Sequence, residues 1–241
     1  MNYEFKWSLL VSQPYYAWIV DAIQTTLHLA IISWFIALAV GIVIGVARIS
    51  NFAFLRFVGG TYVELFRNVP LLLQLFLWQY VFPEVLPDGW RQWWYRLDEA
   101  PYVTAVIGLS LFTASRVAEQ IRSAILAIPR GQFTAALSTG LSPMQMYRYV
   151  IVPYALRIII PAITSEFLTV FKNTALALTI GVVEVTSVAR KIEAWSFRGL
   201  EAYMVASLTY VCTTIAVVVL MNWIEKRAYI PGLIKRSKEA A

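Results

Sequence analysis

The chain has 241 residues, of which 59% are hydrophobic and 14% charged, with a mean hydropathy of +0.65 and a formal net charge of +6. Soluble domains carry roughly 45–50% apolar and about 25% charged residues, so the composition excludes most soluble enzymes and points to a membrane protein of about five or six crossings. The positive charge fits Lys- and Arg-rich cytoplasmic loops and calls for no nucleic acid; Cys212 alone permits no internal disulfide, and a lone His28 leaves no His-rich metal site.

Nothing at the N-terminus reads as a signal peptide, so the first span is expected to stay uncleaved. Apolar stretches predict spans over about 22–48, 60–82, 100–128, 150–172 and 202–225. The first and last reach spanning length without charges, whereas the third includes Arg116 and the fourth Arg157 and Glu166. Long unbroken apolar runs lack the alternation of a β-barrel strand. Gly41 and Gly45 form a G-x-x-x-G pattern, read as helix packing, and Cys212 is read as a small packing residue. The expected fold is a single all-α integral membrane domain over 1–241, with five transmembrane helices.

Charge sets the expected topology. Segments 48–67 and 116–157 and the tail after Ile224 hold thirteen of the twenty Lys and Arg, while 82–101 is acidic and 184–201 is balanced. That alternation predicts the N-terminus outside and the C-terminus inside. Trp90, Trp93, Trp94 and Tyr95 suit an outer loop lying along the membrane boundary.

The most informative stretch is the hairpin over 130–152. Gln132 to Thr139 suits a short helix with Ala135 and Ala136 as strong formers. Gly140 is placed to end it in a left-handed conformation. Ser142 reads as the N-cap of a second helix, Pro143 as its first residue and Gln145 as the third member of a capping box. Pro153 is expected to limit or kink that second helix. The hairpin is too polar to span, which leaves a surface loop or a docking element.

These residues carry a resemblance. Gly131-Gln132-x-x-Ala135-Ala136-x-x-x-Gly140-Leu-Ser142, with Pro153 following, is similar to the EAA loop of ABC importer permeases, especially the polar amino acid permeases. Glu64-x-x-Arg67-Asn-x-Pro70 before LLLQLF, Ala118-Glu119-x-x-Arg122, and Lys172-Asn173-Thr174 match the same family in order, over about 23–229. YVELFRNVPL, LFTASRVAEQIR and the TSE of Thr164 to Glu166 look most like glutamate/aspartate permease subunits. The resemblance implies a type I ABC importer permease in the bacterial inner membrane. It also implies an ABC ATPase dimer that binds ATP–Mg, a second and related permease subunit, and a periplasmic substrate-binding protein. Two departures stand out: Thr134 replaces the acid of the EAA motif, and Asn173 replaces an acid common after the span-four lysine. No G-x-x-x-x-G-K-[ST] loop occurs, so the chain has no phosphate cradle and needs no cofactor of its own.

Ionisable groups within spans are costly and face protein or water. Arg116 and Glu119 share a helix face and read either as an internal pair or, for Arg116, as a fork for a substrate carboxylate. Glu64 and Arg67 read as a structural pair, and Glu166 as a partner for a neighbouring helix. The resemblance sets Lys172, Asn173 and Thr174 beside the substrate pathway. His28 is read as interfacial. The competing function is an ion-coupled secondary carrier, which would need midplane ion sites and internal repeats; a membrane enzyme would need a catalytic cluster, and none is visible.

Overall fold

A computed structural model of the chain describes residues 3–228. Those residues are helical without a strand: α1 Ser8–Val11, α2 Tyr15–Ile49, α3 Ala53–Asn68, α4 Leu71–Phe76, α5 Asp88–Tyr95, α6 Ala100–Leu126, α7 Arg130–Ser138, α8 Pro143–Met146, α9 Val152–Asn173, α10 Val185–Ser196 and α11 Gly199–Ala228. The basic tail beyond residue 228 lies outside the described residues.

The α2–α6 pair is the spine. A Cβ at Gly41 would lie 2.7 Å from Val117 Cβ, and one at Gly45 would lie 3.0 Å from Ile121 Cβ, so only glycine permits this approach. Buried Leu29, Ala37, Ala105, Leu109, Ala114 and Ala118 continue the small-residue seam. Ser110 Oγ crosses it to donate to the Ser33 carbonyl at 3.2 Å.

Among the described residues four helical stretches are long and apolar enough to cross a membrane: Tyr15–Ile49, Ala100–Leu126, Pro143–Ile180 and Gly199–Trp223. The second expected span is different. It is not one helix over 60–82 but α3, a break at Val69–Pro70, and a shorter apolar stretch over Leu71–Val85. Pro70 disfavours helical backbone in the residue before it, and Val69 is extended at φ −93° and ψ 126°. Past α4 the stretch widens into a π-helical turn over Leu77–Val81 and tightens into a 3-10 turn over Phe82–Val85.

Pro153 does not end its helix. A π-helical turn over Tyr147–Ile151 precedes it, and α8, that turn, α9 and a 3-10 segment Thr174–Ile180 form one helical stretch. The proline sits in the first turn of α9, where the wider π turn has already altered the hydrogen-bond register.

Segment 184–201 contains an amphipathic helix. Val185, Val188, Ala189 and Ile192 of α10 bury against Ala22, Ala202 and Ala206. Glu184 caps it, fully buried, accepting from the Ser187 N–H at 2.7 Å, the Thr186 N–H at 2.9 Å and the Tyr210 hydroxyl at 2.8 Å. Burial pushes the Glu184 carboxyl above the usual range, against the pull of those donors. Buried Glu201 accepts from the Tyr3 hydroxyl and, at 3.0 Å, from the Lys6 N–H.

The N-terminal segment, the start of α6 and residues 181–201 therefore meet at one end of the bundle. His28 Nδ1 lies 2.6 Å from the Tyr102 hydroxyl there, and Lys191 Nζ lies 3.6 Å from the Trp18 ring centre. Segment 48–67 and the 130–152 hairpin follow the C-terminal ends of α2 and α6, away from that cluster. Cys212 is exposed on α11 and packs into no core.

Candidate functional site

The hairpin is built as its sequence dictates. Arg130 to Ser138 form α7, Thr139 closes it, and Gly140 follows at φ +82°. Glycine is favoured there because a Cβ disfavours the left-handed conformation. Ser142 caps α8 with Pro143 in the first turn, and the capping box is complete: Gln145 N–H donates to Ser142 Oγ at 3.4 Å, and Ser142 N–H donates to Gln145 Oε1 at 2.9 Å. Ala136 and Met146 bury inward beside Ile128 and Ile151, fixing the hairpin to the bundle. Gly131, Gln132, Thr134, Ala135, Gly140, Ser142, Pro143 and Gln145 remain exposed, and Met144 keeps 78% of its surface. Pro153 is half-buried at the root of α9. The exposed face is a small-residue, weakly polar ridge suited to contact with another protein.

Arg116, Glu119 and Glu166 fall into two sites, and neither is the expected Arg116–Glu119 pair. Arg116 forks onto Glu166 of α9, Nε to Oε2 at 2.6 Å and Nη2 to Oε1 at 2.9 Å, and Gln120 Nε2 adds a bond to Glu166 Oε1 at 2.8 Å. Glu166 is buried while the Arg116 side chain keeps 41% of its surface, so the guanidinium is reachable from outside the chain. Glu119 faces elsewhere. It gathers Arg48 of α2, Arg122 of its own helix at 2.6 Å and Arg67 of α3 at 3.8 Å. Three guanidinium groups around one carboxylate leave a positive excess where α2, α3 and α6 converge. Residues three apart on a helix can pair, as Glu119 and Arg122 do, but Glu166 of α9 draws Arg116 away from Glu119. The expected Glu64–Arg67 pair is likewise absent: Arg67 lies toward Glu119, and Glu64 is exposed.

Lys172 is exposed at the end of α9, Asn173 is half-buried, and Thr174 is fully buried with its hydroxyl on the Phe171 carbonyl at 2.7 Å. Thr174 is thus committed within the chain, and Lys172 is the member of the trio open to a ligand. Sequence reasoning missed Gln74, Glu184 and Glu201 as buried polar groups. Glutamate is an uncommon N-cap, so Glu184 gave little signal; Gln74 stood inside an otherwise apolar run, and that contrast was the available clue. Among the described residues no group of three or more His, Cys, Asp or Glu is placed to hold a metal.

The model of one protein family, the binding-protein-dependent transport system inner membrane component, matches residues 37–229. The chain is 38% identical to the glutamate/aspartate import permease protein GltJ of Escherichia coli (strain K12), over 96% of this chain and 98% of that protein. It is 32% identical to the probable amino-acid ABC transporter permease protein PatM of Vibrio harveyi, over 86% of this chain and 91% of that one. The crystal structure of an amino acid ABC transporter with histidines superposes with a TM-score of 0.79 at 28% identity, covering 94% of this chain and all of that chain.

Proposed function

We infer the role of this chain from its family: it belongs to the binding-protein-dependent transport system inner membrane components. It is an amino acid ABC transporter permease subunit, a multi-pass membrane protein and a transport component rather than an enzyme. The finer reading is import of glutamate and aspartate across the bacterial inner membrane, with the N-terminus outside and the C-terminus inside. The observation that carries it is the likeness to GltJ along nearly the whole of both chains.

In this reading two ATPase subunits bind and hydrolyse ATP–Mg, a periplasmic binding protein delivers the amino acid, and a related permease subunit completes the pathway. The exposed ridge of α7, Gly140 and α8 is the coupling element and seats on the ATPase. Because α8 runs without a break into α9, closure of the ATPase pair moves both together, and Arg116–Glu166 ties α6 to that motion. Arg116 is also the substrate contact. Its half-exposed guanidinium takes a substrate carboxylate beside Glu166, which keeps its own bonds to Nε and Nη2. Glu119 shapes the positive mouth below it, and Lys172 with Asn173 and Thr174 borders the pathway.

The test is uptake by the assembled complex in vesicles, with glutamate, aspartate, glutamine, histidine and arginine as competitors. Glutamate and aspartate are expected to compete best, and uptake is expected to stop without ATP and to survive collapse of ion gradients. Preferential competition by histidine overturns the acidic-substrate reading. Loss of uptake with the ion gradient favours a secondary carrier.

A further inference from the structure

The guanidinium cluster around Glu119 holds more donors than the chain uses. Three guanidinium nitrogens converge on one oxygen, Glu119 Oε2: Arg48 Nη1, Arg122 Nε at 3.3 Å and Arg67 Nη1 at 3.8 Å. The other oxygen, Oε1, accepts from Arg122 Nη2 at 2.6 Å and from Ser123 Oγ at 3.3 Å. A carboxylate offers about four lone-pair sites, and Arg48, Arg122 and Ser123 fill them. Arg67 is left over. It makes no hydrogen bond among the described residues, and its side chain keeps 47% of its surface. Three guanidinium charges against one carboxylate leave an excess of two.

The backbone makes room for this gathering. A Cβ at Gly59 would lie 2.8 Å from Arg48 Cγ, so glycine there lets the Arg48 stem lie against α3 on its way to α6. Arg48 stands in the last turn of α2 and Arg122 about one turn before the end of α6, so the cluster sits where two spans end. Apolar surface adjoins it on all three helices. Val46, Leu65 and Leu126, two to four residues from the three arginines, keep half or more of their surface.

We propose that this cluster binds a phosphate oxyanion carried by an anionic phospholipid, with Arg67 and Arg122, the better exposed of the three, on its oxygens. Guanidinium groups grip phosphate through paired N–H donors, and basic pockets between transmembrane helices take anionic lipid headgroups. The surroundings choose among anions. A free phosphate matches the charge but leaves the adjoining apolar surface bare. An acidic amino acid brings an ammonium, and Glu119 has no lone pair left to receive it. A phospholipid meets both the charge and the apolar surface. On the reading that the substrate is acidic, a headgroup here also keeps a released amino acid from being held at the mouth; the lipid site itself does not depend on that reading.

The experiment offers the purified whole complex equal amounts of phosphatidylglycerol and phosphatidylcholine and counts the lipids kept on the permease chain by native mass spectrometry. Wild type is expected to keep phosphatidylglycerol at least fivefold over phosphatidylcholine. Arg67→Gln removes a group that makes no hydrogen bond within the chain, and is expected to lower that retention about fivefold, the usual weight of one basic residue at an anionic surface. Arg56, bonded to the Ser50 carbonyl at 2.8 Å and outside the cluster, is the control, and Arg56→Gln is expected to retain lipid as wild type does. A phosphatidylglycerol with a photoreactive headgroup is expected to join wild-type peptides that contain Arg67 or Arg122, which decides the matter even if Arg67→Gln fails to assemble. Equal retention of the two lipids by wild type, equal losses in Arg56→Gln and Arg67→Gln, or labelling confined to other peptides overturns the proposal. Displacement of the lipid by inorganic phosphate overturns it in favour of a soluble anion, and displacement by glutamate in favour of the substrate path.

Discussion

Replacing Gly140 with Asp separates docking from folding at the hairpin. Gly140 stands at φ +82°, and a Cβ there meets no atom within 4 Å. The cost inside this chain is therefore one of backbone alone, roughly 1–2 kcal/mol for a left-handed non-glycine residue. Asp adopts that conformation more readily than Ala does, so by strain alone Gly140→Ala is the worse variant. If the ridge seats in a groove of the ATPase, the order reverses: a carboxylate projecting from the contact costs far more than a methyl group. The expected result is a folded, inserted Gly140→Asp chain whose ATPase subunits copurify at least tenfold less, or whose ATP hydrolysis no longer rises with substrate and binding protein. Gly140→Ala is expected to lie near wild type in the same assays. Equal coupling in all three proteins, or a greater loss in Gly140→Ala, refutes the reasoning.

Three further outcomes follow from the packing and the charges. Gly41→Ala puts a Cβ 2.7 Å from Val117 Cβ and 3.0 Å from the Ala114 carbonyl, so overpacking is expected to cost about 1–3 kcal/mol, read as a lowered melting temperature in detergent that Val117→Ala partly restores. Arg116→Gln is expected to stop acidic amino acid uptake and, by stranding buried Glu166, to melt below Arg116→Gln/Glu166→Gln; uptake at the wild-type rate removes Arg116 from the site. Glu184 is more easily protonated folded than unfolded, so its contribution to stability is full below the unfolded value, roughly 4.3, and falls as pH rises through its higher folded value. Glu184→Gln is expected to remove that pH-dependent fall from melting curves, and an unchanged slope counts against the assignment.

What the sequence made legible was local. The capping box at Ser142 and Gln145 and the left-handed Gly140 depend on neighbours a few residues away, and the structure has them in place. The Gly41–Gly45 pattern gave a packing face, though its partner, α6 at Val117 and Ile121, was not written there. The break in span two was also local and had its signal in Val69–Pro70; the apolar run around it masked the proline. Ion pairing was not legible, because Arg116 and Glu166 are fifty residues apart, and only the crossing of α6 and α9 makes them neighbours. The same holds for Arg48 and Glu119, seventy-one apart. Family resemblance gave the hairpin and Lys172 to Thr174 their expected roles, and charge within the spans picked out Arg116, Glu119 and Glu166, whereas the buried polar groups Gln74, Glu184 and Glu201 came only from the packed chain.

The unbroken helical stretch Pro143–Ile180 sets a mechanical ratio. At 1.5 Å per residue it is a rod roughly 57 Å long. Pivoting by about 10° around its middle, it carries each end sideways by about 5 Å, and in opposite directions. A push delivered at Met144 therefore returns at Thr179 as a pull of similar size. The π-helical turn at Tyr147–Ile151 and Pro161 inside α9 both lie between Met144 of the hairpin and Glu166, so bending at either is taken up before a load applied at Met144 reaches Glu166. If the hairpin is the driven end, as proposed above, stiffness at these two points, more than affinity at any single residue, governs how much of each stroke arrives.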